Sequence, residues 1–213
     1  MTRKEMEDQI VQWLGLQDIT DLNERTLVQE QIYLGVLDLL SRTRCVVRCI
    51  QIRTLANVSQ YTLDHSVLAL VDVEDGSLLR RRRDDSRRGF ALIRSDILRV
   101  QPTPSEDGEL QVWAVKRPQR MTDDDHSPSF EEFGAIPDEF QDAIVLYVMW
   151  HMADYSDDST QQGERYRILY EGQDSRGGRI AEIKRMVNRR GTSRLPRSRV
   201  SLAPVSASSR WTG

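Results

Sequence analysis

The spacing of apolar residues changes twice along this chain, and nothing else in it constrains the fold as much. The spacing is helical from Thr2 to Ser41, strand-like from Cys45 to Arg117, and helical again from Pro137 to Arg190. A pattern written for one period cannot be satisfied by the other, so the chain is predicted to be α+β. The expected parts are N-terminal helices (1–44), a small antiparallel β module (45–117), a loop (118–135), a C-terminal helical hairpin with a long last helix (136–191) and an extended C-terminal tail (192–213). At 213 residues the chain is long enough to bury a real core.

Within the first part, Thr2 and Glu5 have the spacing of a capping box, followed by an apolar stripe at Met6, Ile10, Trp13 and Leu14, with Gly15 as a stop. Asp21 and Glu24 offer a second cap for a helix from about Leu22 to Ser41. Its stripe of Val28, Ile32, Val36 and Leu39 is widened by Leu34, Leu37 and Leu40, so it calls for neighbours on two sides.

The strand-like part reads as Cys45–Ile52, Tyr61–Leu63, Val67–Val73, Ile97–Val100 and Glu109–Val115. Turn signals stand at Asp75-Gly76, Pro102-Thr103-Pro104 and Asp107-Gly108, which suits a small antiparallel sheet or sandwich. After Pro137, a first-helical-position residue, Phe140, Ile144, Tyr147, Met152 and Tyr155 share a face. Ala143–Trp150 is apolar nearly all round, the mark of the most buried helix. Helical spacing resumes at Glu164–Glu171 and at Ile180, Ile183 and Val187. Gly172, Gly177 and Gly178 each cost about 1 kcal/mol in a helix interior and leave a break there open; Gly191 ends the helix.

No apolar run approaches the ~20 residues of a membrane span, and the first residues carry no apolar signal region. With only Cys45 and Cys49, a soluble protein of a reducing compartment is expected. The net charge of −3 argues against a general nucleic-acid binder. Residues 191–213 carry four arginines and no acid, leaving −7 on residues 1–190: an acidic body with a basic tail.

Several clusters invite a chemical reading. Asp123-Asp124-Asp125-His126 has metal-ligand chemistry but lacks EF-hand spacing, so a solvated loop is the better reading. Cys45 and Cys49 lack histidines at zinc-site spacing and read as buried thiols. His151 has no accompanying nucleophile motif and reads as a core or interface histidine; His65 reads as a loop residue. The run Arg80, Arg81, Arg82, Arg83, Asp84, Asp85, Arg87 and Arg88 mixes both signs and lacks aromatics to stack bases, which suits a solvated or subunit-bridging hairpin better than a nucleic-acid site. No phosphate loop or catalytic constellation is visible, and no cofactor is expected.

The order of the pieces resembles the head-to-tail adaptor (connector, head-completion) proteins of tailed bacteriophages. The resemblance lies in Tyr61-Thr62-Leu63-Asp64, Val67–Val73, Pro102-Thr103-Pro104, Val112–Pro118, Ile136-Pro137-Asp138-Glu139-Phe140 with Ala143–Tyr155, and Glu164–Arg190. It departs from the family pattern at Asp64, where proline is usual, and in the Arg–Asp run. The resemblance implies a structural virion protein in the neck, made in the host cytoplasm. Its subunits would form a ring, commonly of twelve copies, beneath the portal protein. That ring would prolong the DNA channel, with genomic DNA passing without specific binding, and receive the next neck or tail protein, a stopper or tail terminator. The tail would dock on the portal through Leu195, Val200, Leu202, Val205 and Trp211, with Arg194, Arg197, Arg199 and Arg210 between them. Alternatives are a small nucleic-acid-binding regulator using the Arg-rich hairpin and basic tail, and, less favoured, a metal-dependent enzyme at Asp123–His126.

Overall fold

A computed structural model describes residues 1–13, 22–63, 67–74, 89–101, 103–153, 159–173 and 176–191. Helices α1 (Arg3–Trp13) and α2 (Leu22–Thr43) open the chain. The capping box at the start of α1 is formed: the Thr2 amide donates to the Glu5 carboxylate at 2.8 Å and the Glu5 amide to the Thr2 hydroxyl at 3.2 Å. Met6 and Ile10 are buried, whereas Trp13 stays half-exposed; Leu14, Gly15 and Asp21 lie outside the described residues. Helix α2 buries Val28, Ile32, Val36, Leu39 and Leu40. Leu34 and Leu37 are only half-buried and stand outside the packed core, because the apolar face is wider than its neighbours cover.

Two three-stranded antiparallel sheets follow. The first has the order β1 (Arg48–Thr54), β6 (Gly108–Lys116), β3 (Val67–Glu74); the second has β2 (Gln60–Thr62), β5 (Ile97–Gln101), β4 (Gly89–Arg94). Their facing sides share one core: Tyr61, Phe90, Leu98 and Val100 from the second, and Leu110, Val112, Ala114, Val67, Leu70 and Val73 from the first. Strand β4, which follows the Arg–Asp run, is not anticipated from the sequence. Its Phe90-Ala91-Leu92-Ile93 leads into a tight turn at Ser95-Asp96, and the strand pairs back on β5.

Strand β1 begins later than its composition suggests. Arg44 adopts φ 51° as the chain leaves α2, with its amide still bonded to the Leu40 carbonyl at 2.9 Å, and Val46 and Val47 pack on the helical core instead of entering the sheet. In β3 the buried positions Val67, Leu70 and Val73 are three apart, not two. Register shifts between Val67 and Ala69 and between Leu70 and Asp72 turn the strand, so that Leu68, Ala69 and Val71 reach the helices on the other side. One strand thereby serves two cores.

The connector after β6 passes through a short 3₁₀ turn at Glu131–Phe133 and another at Asp138–Phe140 before α3 (Asp142–Met152). Helix α3 buries Ala143, Ile144, Val145, Val148, Met149 and Met152. It crosses α2 closely at Gly35, where a Cβ would lie 3.1 Å from Tyr147 and 3.2 Å from Ile144. Helices α4 (Ser159–Glu171) and α5 (Arg179–Gly191) replace the single long last helix. Between them β7 (Gly172–Gln173) and β8 (Arg176–Gly177) form a minimal hairpin. Gly172 has φ 97°, and a Cβ on Gly178 would fall 2.4 Å from the Gly172 nitrogen and 2.7 Å from the Tyr170 carbonyl. The glycines that weaken a continuous helix are thus the ones the hairpin requires.

Candidate interaction surfaces

The helical side chains singled out in the sequence converge on the α2–α3–α4 junction. Phe140, Ile144 and Met152 are buried in the helical core; Tyr147 is half-buried at its border. Tyr147 meets Tyr170 edge-on at 5.6 Å between ring centres and Trp150 at 6.2 Å. Tyr170 is fully buried and its hydroxyl donates to the Asp38 carboxylate at 2.6 Å. Burial, then the bond to Asp38 and its negative charge, push the Tyr170 hydroxyl far above the usual tyrosine range. Arg42 closes this cluster, pairing with Asp38 at 3.0 Å and Glu171 at 2.7 Å and lying over the Tyr170 ring at 5.9 Å. His151 is exposed, not a core residue, because it falls on the outward side of α3; its ring packs on Tyr147 and Trp150 at 4.3 Å.

The acidic triplet has a structural partner set. The Asp124 carboxylate accepts from Arg3 and, at 2.9 Å, from Arg25. Glu7 completes the group, 3.2 Å from Arg25 and 3.4 Å from Arg3 Nε. Arg3 and Glu7 are nearly buried, and each lies against an opposite charge, Arg3 against Glu7 and Asp124 and Glu7 against Arg3 and Arg25. The hydrogen bond from Arg3 and the charge of Arg25 hold the Asp124 carboxyl below the usual carboxylate range. His126 Nδ1 accepts from the Thr122 and Asp123 amides at 3.2 Å each, while Nε2 lies 3.1 Å from Asp123. Asp124 therefore holds the connector against α1 and α2, while the His126 ring is bonded within the connector itself. No group of three or more metal-ligating side chains occurs among the described residues. The connector is less solvated than its composition implies, since Met121, Ser127, Phe133 and Ile136 are buried.

Cys45 packs against the helical core, and burial raises its thiol; Cys49 is exposed, a departure from the buried thiol expected there. The alternation of edge strand β1 explains this: Ile50 and Ile52 turn toward the sheet core, and Cys49 turns away.

A cleft of about 450 Å³ opens where the β module meets α2 and the connector. Leu40, Val46, Val115 and Pro118 give it apolar walls, and Arg48, Lys116, Glu131 and Glu132 a charged rim. Elsewhere Trp13, Leu55, Ile93, Phe130 and Leu169 are about half-exposed. No helix among the described residues is long and apolar enough to cross a membrane.

These features describe a scaffold with apolar and charged outer faces. Residues 1–199 match the family model described as SU10 adaptor protein. The chain belongs to the SU10 adaptor protein family. That agrees with the head-to-tail adaptor resemblance read from the order of motifs. No curated protein matches the chain. In this adaptor the Arg80–Arg88 run, Asp64, His65 and the tail residues Arg194, Leu195, Arg197, Arg199, Val200, Leu202, Val205, Arg210 and Trp211 lie outside the described residues. The ionic group Arg3–Glu7–Arg25–Asp124 does not stand out in the sequence. Arg3 and Glu7 in α1 and Arg25 in α2 look like ordinary helical charges, and only the tertiary fold brings them to Asp124.

Proposed function

We propose that this adaptor is a structural neck component of a tailed-phage virion. Several copies, by the family resemblance twelve, form a ring beneath the portal protein, extend the DNA channel and receive the next neck or tail protein. The observation that carries this reading is the family match over residues 1–199. The half-exposed Trp13, Phe130 and Leu169 support it, because side chains of this size gain from burial against a neighbour. An acidic body also suits a passage through which DNA slides without sticking. In this reading residues 45–117 are a compact module between helical parts, and the Arg80–Arg88 run bridges subunits. The tail 192–213, up to roughly 70 Å long when extended, anchors to the portal through Trp211 and its spaced aliphatic residues.

The test is negative-stain imaging of the purified full chain mixed with portal, beside a chain lacking residues 192–213. A ring on the portal with the full chain and none with the truncated one is the expected result. Single copies on the portal would refute the ring, and unimpaired attachment of the truncated chain would refute the anchoring role of the tail.

A further inference from the structure

Charge is segregated along this chain in a way that pairing within one copy does not exhaust. The connector and the start of α3, residues 118–142, hold eight acids and one arginine. Residues 184–213 hold eight cations and no acid. Within the acidic stretch Asp124 serves Arg3 and Arg25, and Asp142 serves Arg179. Asp125 and Glu132 are exposed and enter no ion pair among the described residues. Between them Phe130 is half-exposed. On α5 the apolar stripe Ile180, Ile183 and Val187 packs inward, which leaves Lys184 and Arg185 exposed. Neither cation enters an ion pair among the described residues. Glu182, the one acid of α5, is taken by Arg179 at 2.7 Å.

A helix rises about 1.5 Å per residue, so Lys184 and Arg185 lie roughly 8–9 Å along α5 beyond Arg179, the point where α5 is tied to Asp142. That is about one Debye length at physiological salt, so Asp142, already paired with Arg179, neutralises Lys184 and Arg185 little. Exposed groups of opposite charge on unlike faces of one subunit are complementary between copies. Contacts that join unlike faces are heterologous, and when the rotation closes they generate rings.

We propose that the exposed face of α5, at Lys184 and Arg185, docks on the acidic connector face at Asp125 and Glu132 of a second copy of this chain, with Phe130 as the apolar anchor of the contact. This inference rests on the ring reading above and names its subunit interface. DNA is the less suitable occupant of the basic face, because the acidic face on the same subunit would repel it and would itself remain unmatched.

The experiment compares three full-length variants with the wild type on purified portal, counting copies per portal by native mass spectrometry and imaging. The variants are Lys184→Glu with Arg185→Glu, Asp125→Lys with Glu132→Lys, and all four substitutions together. All four positions are exposed, so melting should stay near the wild type. Each reversed pair is expected to lower ring occupancy roughly tenfold or more, the effect of losing close charge pairs at an interface. The fourfold variant should regain wild-type occupancy. If the reversed variants assemble like the wild type, the interface is wrong while the ring stands. The interface is equally refuted if reversal at α5 spares assembly and lowers only DNA retention. If the wild type itself binds as single copies, the ring reading and the interface fall together.

Discussion

Replacing Tyr170 by Phe isolates one polar contact inside an apolar junction. The ring stays and its packing against Tyr147 and Trp150 is retained; only the hydroxyl bonded to Asp38 is lost. A hydrogen bond to a charged group is worth about 1.5–3 kcal/mol, and Arg42 remains to serve Asp38, so the lower end of about 1.5–2 kcal/mol applies. For a chain of this size that is a fall in Tm of roughly 3–8 °C at neutral pH. The pH dependence gives a second, sharper signature. The folded-state hydroxyl is held far above its unfolded value of about 10, so its protonated form is the one that folding favours. The stability it contributes is complete below about pH 10 and declines above it, as the unfolded chain releases a proton that the folded chain keeps. At about pH 11 the wild type should have lost roughly 1.4 kcal/mol from this group, and the Phe variant none of that amount. Urea unfolding followed by far-UV circular dichroism at neutral and alkaline pH measures both quantities. If the gap between variant and wild type does not narrow on going to alkaline pH, the buried Tyr170–Asp38 bond is not as described.

Gly178→Ala should cost at least about 3 kcal/mol, the upper range for forced overpacking, because the new Cβ meets backbone atoms that cannot move aside; the readout is a Tm lowered by roughly 6–12 °C. Asp124, whose folded pKa is depressed, contributes stability present above its unfolded value of about 4 and lost as the pH falls through the folded one. Asp124→Asn should therefore lower stability at neutral pH and flatten the acid limb of the stability curve, read by chemical unfolding across the acid range; an unchanged acid limb would remove Asp124 from the account. Deleting residues 192–213 should leave the body's Tm within a few degrees while abolishing attachment to portal-bearing heads, as measured by head-completion assays.

Much of this architecture was legible before any tertiary information. The capping box at Thr2 and Glu5, the buried stripes of α2 and α3 and the antiparallel strand set follow from periodicity and local hydrogen bonding, which act between residues a few positions apart. The ordered series of weak motifs was enough to point to the adaptor family, since a fold constrains the order of its elements even where single positions drift. The chain alone left open the break between α4 and α5, because a Gly-rich stretch permits either a weak helix or a hairpin. What decides is the close approach of Gly178 to Gly172, a contact between backbones. Strand β3 shows the same limit: alternation is read along one strand, but its bulges arise from pairing with β6, so which residue faces which core is settled only when the partner is in place. For the candidate surfaces, the sequence revealed which charges exist and how they segregate. Which of them are consumed, as Asp124 is by Arg3 and Arg25, and which remain outward, as Asp125, Glu132, Lys184 and Arg185 do, depends on ion pairs between residues far apart in the chain. Pairing between neighbours on one helix, as of Arg3 with Glu7, leaves a periodic trace, but pairing between distant elements acts over a few ångströms in space and leaves none, so only the tertiary structure could decide it.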